Sequence, residues 1–145
     1  MRFKIIFILF ILLIVFKVSI IQASTKKLTI YTYDSFNSDW GPGPIVFKRF
    51  EEQCKCELKV ISLGDSGTML NRVILENDNK KADILLGLNN SELEKSYKYS
   101  LWEPYRSSFL DRVPSDLRLD KDYRVTPFDY GFIGFVYDSK KLEEP

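Results

Sequence analysis

Residues 27–33 (KLTIYTY) run directly into residues 34–44 (DSFNSDWGPGP) and then into residues 45–54 (IVFKRFEEQC), and this succession decides the fold. The first segment alternates and is rich in β-branched and aromatic side chains, so it predicts a strand. Gly, Pro, Ser and Asn then mark a loop. Pro44 suits the first turn of a helix, and Val46, Phe47, Phe50 and Cys54 recur at spacings of three and four, so a helix with one apolar stripe follows.

The pattern repeats outward from there. Residues 56–62 (CELKVIS) read as a second strand, residues 65–68 as a polar helix start, and Met69, Leu70, Val73 and Ile74 as the apolar stripe of a second helix ending near residues 76–77. A turn at residues 77–81 leads to residues 82–88 (ADILLGL), a nearly continuous apolar run of the kind expected in a parallel strand covered on both faces. Asn90 or Ser91 can cap a third helix through about Tyr97, with Glu94 three residues past Ser91 as a capping box. This β-α-β-α-β-α alternation argues for an α/β layer fold with a mainly parallel sheet. In open sheets of this kind, ligands sit outside the carboxyl ends of the strands, so the loops after Tyr33, Ser62 and Leu88 share one rim. Residues 101–127, punctuated by Pro104, Pro114 and Pro127, read as irregular, and residues 131–137 (GFIGFVY) return to strand character. The element that begins at Ser139 stops in mid-course at Pro145, which reads as a truncation.

The 145 residues are 45% apolar, 14% aromatic and 28% charged, which fits one globular domain and excludes collagen-like or low-complexity chains. Residues 1–23 pair Arg2 and Lys4 with an apolar run of 12 residues (5–16), then Lys17 and a small residue at Ala23. They read as a secretory signal peptide cleaved after Ala23, with Ile21 a bulky departure from the usual cleavage pattern and an uncleaved anchor as the alternative. Those residues hold three of the 21 basic side chains, leaving 18 against 20 acids, a balance that excludes a bulk nucleic-acid binder. Histidine is absent, so imidazole general bases and the usual zinc sites are excluded. Cys54 and Cys56 read first as one buried and one strand thiol, with a bridge formed in an oxidising compartment as the alternative. A metal pair ranks last, since no other thiol or imidazole could complete it.

Several blocks together carry a resemblance: TYDSF, DWGPGP, ELK, LNR on the second helix, KADILLGLNN, and PFDYGFIGFVYD. They closely resemble the periplasmic thiamine-binding proteins of bacterial ABC importers, in extracellular solute-binding protein family 1, whose wider group also binds iron(III), polyamines and phosphonates. The resemblance covers nearly all of residues 28–145. It implies a type II periplasmic-binding-protein-like fold of two lobes, each a three-layer αβα arrangement, that closes on its ligand. It further implies a non-enzymatic monomer in the periplasm, with thiamine or thiamine phosphates as ligand, no cofactor and no nucleic acid, delivering to a membrane permease and its ATPase partner. On that reading residues 1–23 are the signal peptide, residues 24–130 the first lobe, and residues 131–145 the crossover strand and start of a second lobe, so this chain is the amino-terminal part only.

Tyr33, Asp34 and Trp40 on the first rim loop could meet a flat organic cation through aromatic faces and a carboxylate, each ring contributing ~0.5–2 kcal/mol. Their alternative duty is to anchor that loop on the first helix. Backbone N–H groups of Ser66, Gly67 and Thr68 at a helix start are in principle an anion site. The resemblance aligns Asp65 and Ser66 with a ligand-contacting pair, although the family carries glycine where Ser66 stands; simple capping is the competing role. Asn89 and Asn90 end the third strand on the same rim, with turn and capping duty as their alternative. Residues 128–131 resemble the family's crossover between lobes, where Gly131 and Gly134 would allow close backbone packing. Other classes are a hydrolase using Asp34, Asp39 or Asp65 as acid or base, an iron(III), polyamine or phosphonate carrier, and a non-functional truncated remnant. The missing histidine counts against iron, and no nucleophile accompanies the acids.

Overall fold

Alternation in the first strand segment is realised as β1 (Lys26–Thr32), which pairs in parallel with β2 (Cys56–Ser62) on one side and β3 (Ile84–Leu86) on the other. The sheet order is therefore β2-β1-β3. The computed structural model describes residues 25–142, so the expected signal peptide lies outside the described residues. Between the strands run α1 (Gly43–Cys54) and α2 (Ser66–Glu76), and α3 (Asn90–Tyr97) follows β3. The chain divides into two compact units, one reaching to Glu92 and one starting at Leu93.

Register places Ile30 beside Val60 and Ile84, so these side chains share a face, and Tyr31 lies on the opposite one. On the first face Ile30, Phe36 and Phe47 of α1 form a cluster closed by Tyr33, Leu58, Val60 and Leu86. On the other, the Tyr31 hydroxyl donates to Glu76 of α2 at 2.8 Å. Helix, sheet and helix thus form the three expected layers. Met69, Leu70 and Val73 of α2 are buried, as their spacing predicts. In α1 the stripe is only partly used: Phe47 is buried, whereas Val46 and Phe50 remain exposed. A sheet of three strands, one of them three residues long, offers too little apolar area to cover the whole stripe.

β3 is shorter than the expected residues 82–88, and it is not covered on both faces, since Ile84 is exposed and Leu85 and Leu86 are only half-buried. Two local features trim it. The Asp83 carboxylate accepts the Thr29 N–H at 2.7 Å, taking a bond the backbone ladder would otherwise use. Gly87 then turns the chain with φ +105°, a conformation that glycine adopts without steric cost.

Cys54 and Cys56 are joined in a disulfide, which corrects the free-thiol reading. Lys55 between them is left-handed (φ 51°, ψ 45°) as it ends α1, and this bend brings the two Cα atoms to 5.2 Å, within bridging range. The ring it closes is so small that its effect on chain entropy is slight.

The second unit is mostly irregular, as its prolines predict, with 3-10 turns at Leu110–Arg112 and Ser115–Leu117. The Trp102 indole N–H donates to the fully buried Ser96 hydroxyl at 2.9 Å. Arg124 lies 4.2 Å from the centre of the Tyr97 ring and pairs with Asp120 at 2.8 Å. The hydrogen bond from Arg124 holds the Asp120 carboxyl below its usual range despite burial. The strand expected at residues 131–137 is not formed: Phe132, Ile133, Phe135 and Val136 are almost fully exposed coil. Strand preference is largely packing against neighbouring strands, and among the described residues none pairs with this segment. Gly131 and Gly134 also face open space, so they serve no close packing here.

Two expectations follow for stability. Glu76 is nearly enclosed (7% of its side chain exposed) and accepts from Tyr31, from Arg72 at 2.8 Å and from the Lys81 N–H at 3.1 Å. Burial alone would push its carboxyl up, but these donors outweigh it and hold it below the ordinary range. A depressed folded value stabilises the fold above the unfolded value of about 4.3, and that stabilisation disappears as pH falls through the folded value. Glu76→Gln should therefore lower stability at neutral pH by about 1.5–3 kcal/mol and flatten the acid limb of the stability–pH curve, read by urea melts between pH 3 and 7. Thr32 is fully buried, and its hydroxyl is without a hydrogen-bond partner among the described residues. Thr32→Val should leave the midpoint of the same melts unchanged or raise it, because an unpaired buried hydroxyl costs about 1–3 kcal/mol.

Candidate functional site

Parallel pairing brings the carboxyl ends of β1, β2 and β3 to one edge, and short hydrogen bonds stitch the loops that leave them. The Leu63 N–H donates to Thr32 O at 2.9 Å. Asp34 and Gly64 then bond reciprocally: the Asp34 N–H donates to Gly64 O, and the Gly64 N–H donates to Asp34 Oδ1, both at 2.9 Å. Asn37 adds a bond to the Ser62 hydroxyl at 3.1 Å. From the third loop, the Tyr33 ring lies against Gly87 so closely that any Cβ there would collide with it. The result is an open concavity of about 300 Å³ lined by Tyr33, Ser35, Gly64, Asp65, Ser66 and Gly87.

Of the residues singled out in sequence, Tyr33, Asp65 and Ser66 line this concavity, and Asp34 braces it. Tyr33 also fills the anchoring role, its ring 5.7 Å from that of Phe36, which is in turn 5.7 Å from Phe47. Trp40 is 81% exposed and is not among the lining residues, so the structure does not bring it together with Tyr33. Residues 128–131 lie in the other unit and are exposed.

Asp65 caps α2: its Oδ1 accepts the Thr68 N–H at 2.7 Å, and this bond holds the carboxyl below its usual range. The Met69 N–H is taken by the Asp65 carbonyl. The helix start expected to be an anion site therefore has its positive end already met by a carboxylate. Ser66 donates its hydroxyl proton to Glu92 at 3.0 Å and accepts from the Asn89 amide at 3.2 Å. Glu92 also accepts the Asn89 N–H at 3.4 Å. Asn89 and Glu92 thus supply one arm of a capping box, two residues ahead of the Ser91 and Glu94 expected from sequence. Glu92 was missed, although its position three residues after Asn89 is the spacing that could have found it. No Lys or Arg lines the concavity, while Asp65 lines it and Asp34 and Glu92 bond residues that do. An aromatic face with carboxylates and no cation suits a positively charged organic ligand. Among the described residues no group of three metal-ligating side chains occurs.

A three-layer α/β lobe with a parallel sheet and a concave rim at its strand ends is the arrangement found in its structural neighbours, which are periplasmic binding proteins. Similarity to known proteins agrees. No protein-family model matches the chain. It is 46% identical over 119 residues to the thiamine-binding periplasmic protein of Escherichia coli strain K12, a match covering 81% of this chain and 36% of that one. A solved periplasmic thiamin binding protein superposes with a TM-score of 0.61 at 43% identity, over 83% of this chain and 37% of the other. The Trichodesmium protein IdiA (FutA), solved with iron and citrate, shares the fold at a TM-score of 0.56 and 19% identity, over 68% of this chain and 29% of its own. The chain is thus similar to thiamine-binding periplasmic proteins over about four fifths (81%) of its own length, and it spans about a third (36%) of the length of the curated relatives it matches.

Gly87→Ala tests how the rim is held. It should lift the Tyr33 ring from its seat, lower the midpoint of thermal unfolding by the equivalent of about 1–3 kcal/mol, and broaden the Tyr33 ring signals in the NMR spectrum.

Proposed function

We propose that this chain forms one wall of a thiamine-binding cleft in the substrate-binding component of an ABC importer, working in the periplasm without catalysis. The observation that carries this reading is the Tyr33 face set beside Asp65 and Ser66 in a concavity free of basic side chains. Tyr33 would meet the ring system, Asp34 and Asp65 would offset the thiazolium charge, and Ser66 would meet the aminopyrimidine. Trp40, exposed on the same loop, would reach the ligand only if that loop rearranged. The loaded protein would pass thiamine to a membrane permease powered by an ATPase. Similarity to those relatives supports the ligand; the thiamine-binding names belong to proteins nearly three times as long.

A single open wall covers far less of a ligand than the 70–90% typical of a finished pocket, so its affinity should be weak. Titrating the isotopically labelled chain with thiamine should give saturable NMR shifts at Tyr33, Gly64, Asp65 and Ser66, with a Kd of the order of 1 mM. Absence of shifts at those residues at about 10 mM thiamine, roughly ten times that Kd, would refute the ligand. Sub-micromolar binding would refute the idea that this wall is incomplete.

A further inference from the structure

We propose that the Cys54–Cys56 bridge is a reversible thiol-exchange site, at which a small thiol such as glutathione adds to the Cys54 sulfur and expels Cys56. The pair lies at the amino end of β2, whereas the concavity gathers at the carboxyl ends of the strands. The seven residues of β2 put roughly 20 Å between the two, at about 3.3 Å per residue. As a staple the bridge accomplishes little, because its ring encloses a single residue. The junction also has a second tie: Glu51 Oε1 of α1 accepts the Leu58 N–H of β2 at 2.8 Å. α1 and β2 therefore stay joined when the sulfurs part.

Exchange depends on which sulfur can be reached and which leaves more readily. Cys54 is half-buried whereas Cys56 is only 8% exposed, so an incoming thiolate meets Cys54 first. Leaving ability points the same way. Cys54 is the last residue of α1, where the helix dipole opposes a thiolate, and the Glu51 carbonyl oxygen lies 3.7 Å from its sulfur. Cys56 stands in register with Lys26 and follows the exposed Lys55, so two lysines neighbour the thiolate that forms there. The adjacent acid, Glu57, is engaged by Lys27 at 3.0 Å. In the forward step the thiolate RS⁻ bonds to Cys54 Sγ, the Cys54–Cys56 bond breaks, and its electron pair departs on Cys56 Sγ. One disulfide replaces another, so no electrons are lost or gained. Attack of Cys56 on Cys54 reverses the step; a second RS⁻ attacking the glutathione sulfur instead releases RSSR and leaves both cysteines reduced.

The test treats the folded full chain with millimolar reduced glutathione, caps free thiols with N-ethylmaleimide, and locates both groups by peptide mass. Glutathione should sit on Cys54 and the maleimide on Cys56, about tenfold in excess of the reverse pattern. With oxidised glutathione, Cys56→Ser should be modified about tenfold faster than Cys54→Ser while folded, and at the same rate in urea. Unmoved NMR signals of Tyr33 and Gly64 mark the fold as intact throughout. A bridge that opens only after unfolding, glutathione carried mainly on Cys56, or equal rates for the two folded variants would overturn the proposal.

Discussion

The central position of β1 is the constraint on which the first unit depends. With a parallel partner on each side, this strand fixes the direction of both neighbours and therefore the edge at which all three end. Three of the contacts that shape the concavity start from that edge: Thr32 holds Leu63, Asp34 holds Gly64, and Tyr33 lies on Gly87. β1 also joins the two helical layers, because Ile30 packs with Phe47 of α1 while the neighbouring Tyr31 reaches Glu76 of α2. Stability and site geometry are thus coupled through alternate residues of one strand.

Much of this architecture was legible because it is written in local pattern. The strand read at residues 27–33 and found one residue earlier as β1, the bounds of β2, and the buried triplet of α2 follow from periodicity alone, since burial of one face fixes which positions are apolar. Periodicity fails where a tertiary partner decides. Val46 and Phe50 satisfy a helical stripe but find no sheet to cover. Residues 131–137 have strand composition without a strand beside them, and composition cannot supply the missing ladder. Asp83 shortens β3 by a side-chain bond that no apolar count would register.

The rim was less legible than the fold. Loop residues could be assigned to one edge from the β-α alternation and the parallel sheet it implies, and Tyr33, Asp65 and Ser66 do meet there. What sequence could not show is how their donors are already spent. Asp65 reads equally well as a cap or as a ligand contact until its oxygen is seen on the Thr68 N–H. Trp40, the most conspicuous aromatic of the loop, projects into solvent, while the unremarked Gly87 provides the seat for Tyr33.

Hydrogen-bond direction, more than shape, then separates the ligand classes open to such a rim. Helix starts commonly receive anions because their N–H groups point outward and unpaired. At α2 that capacity is answered from within the chain, by Asp65 at the cap and by Glu92 through Ser66. A cation would meet carboxylates whose remaining lone pairs stay free and an aromatic face already held in place. The bonds that cap α2 therefore leave carboxylate lone pairs and an aromatic face at this rim.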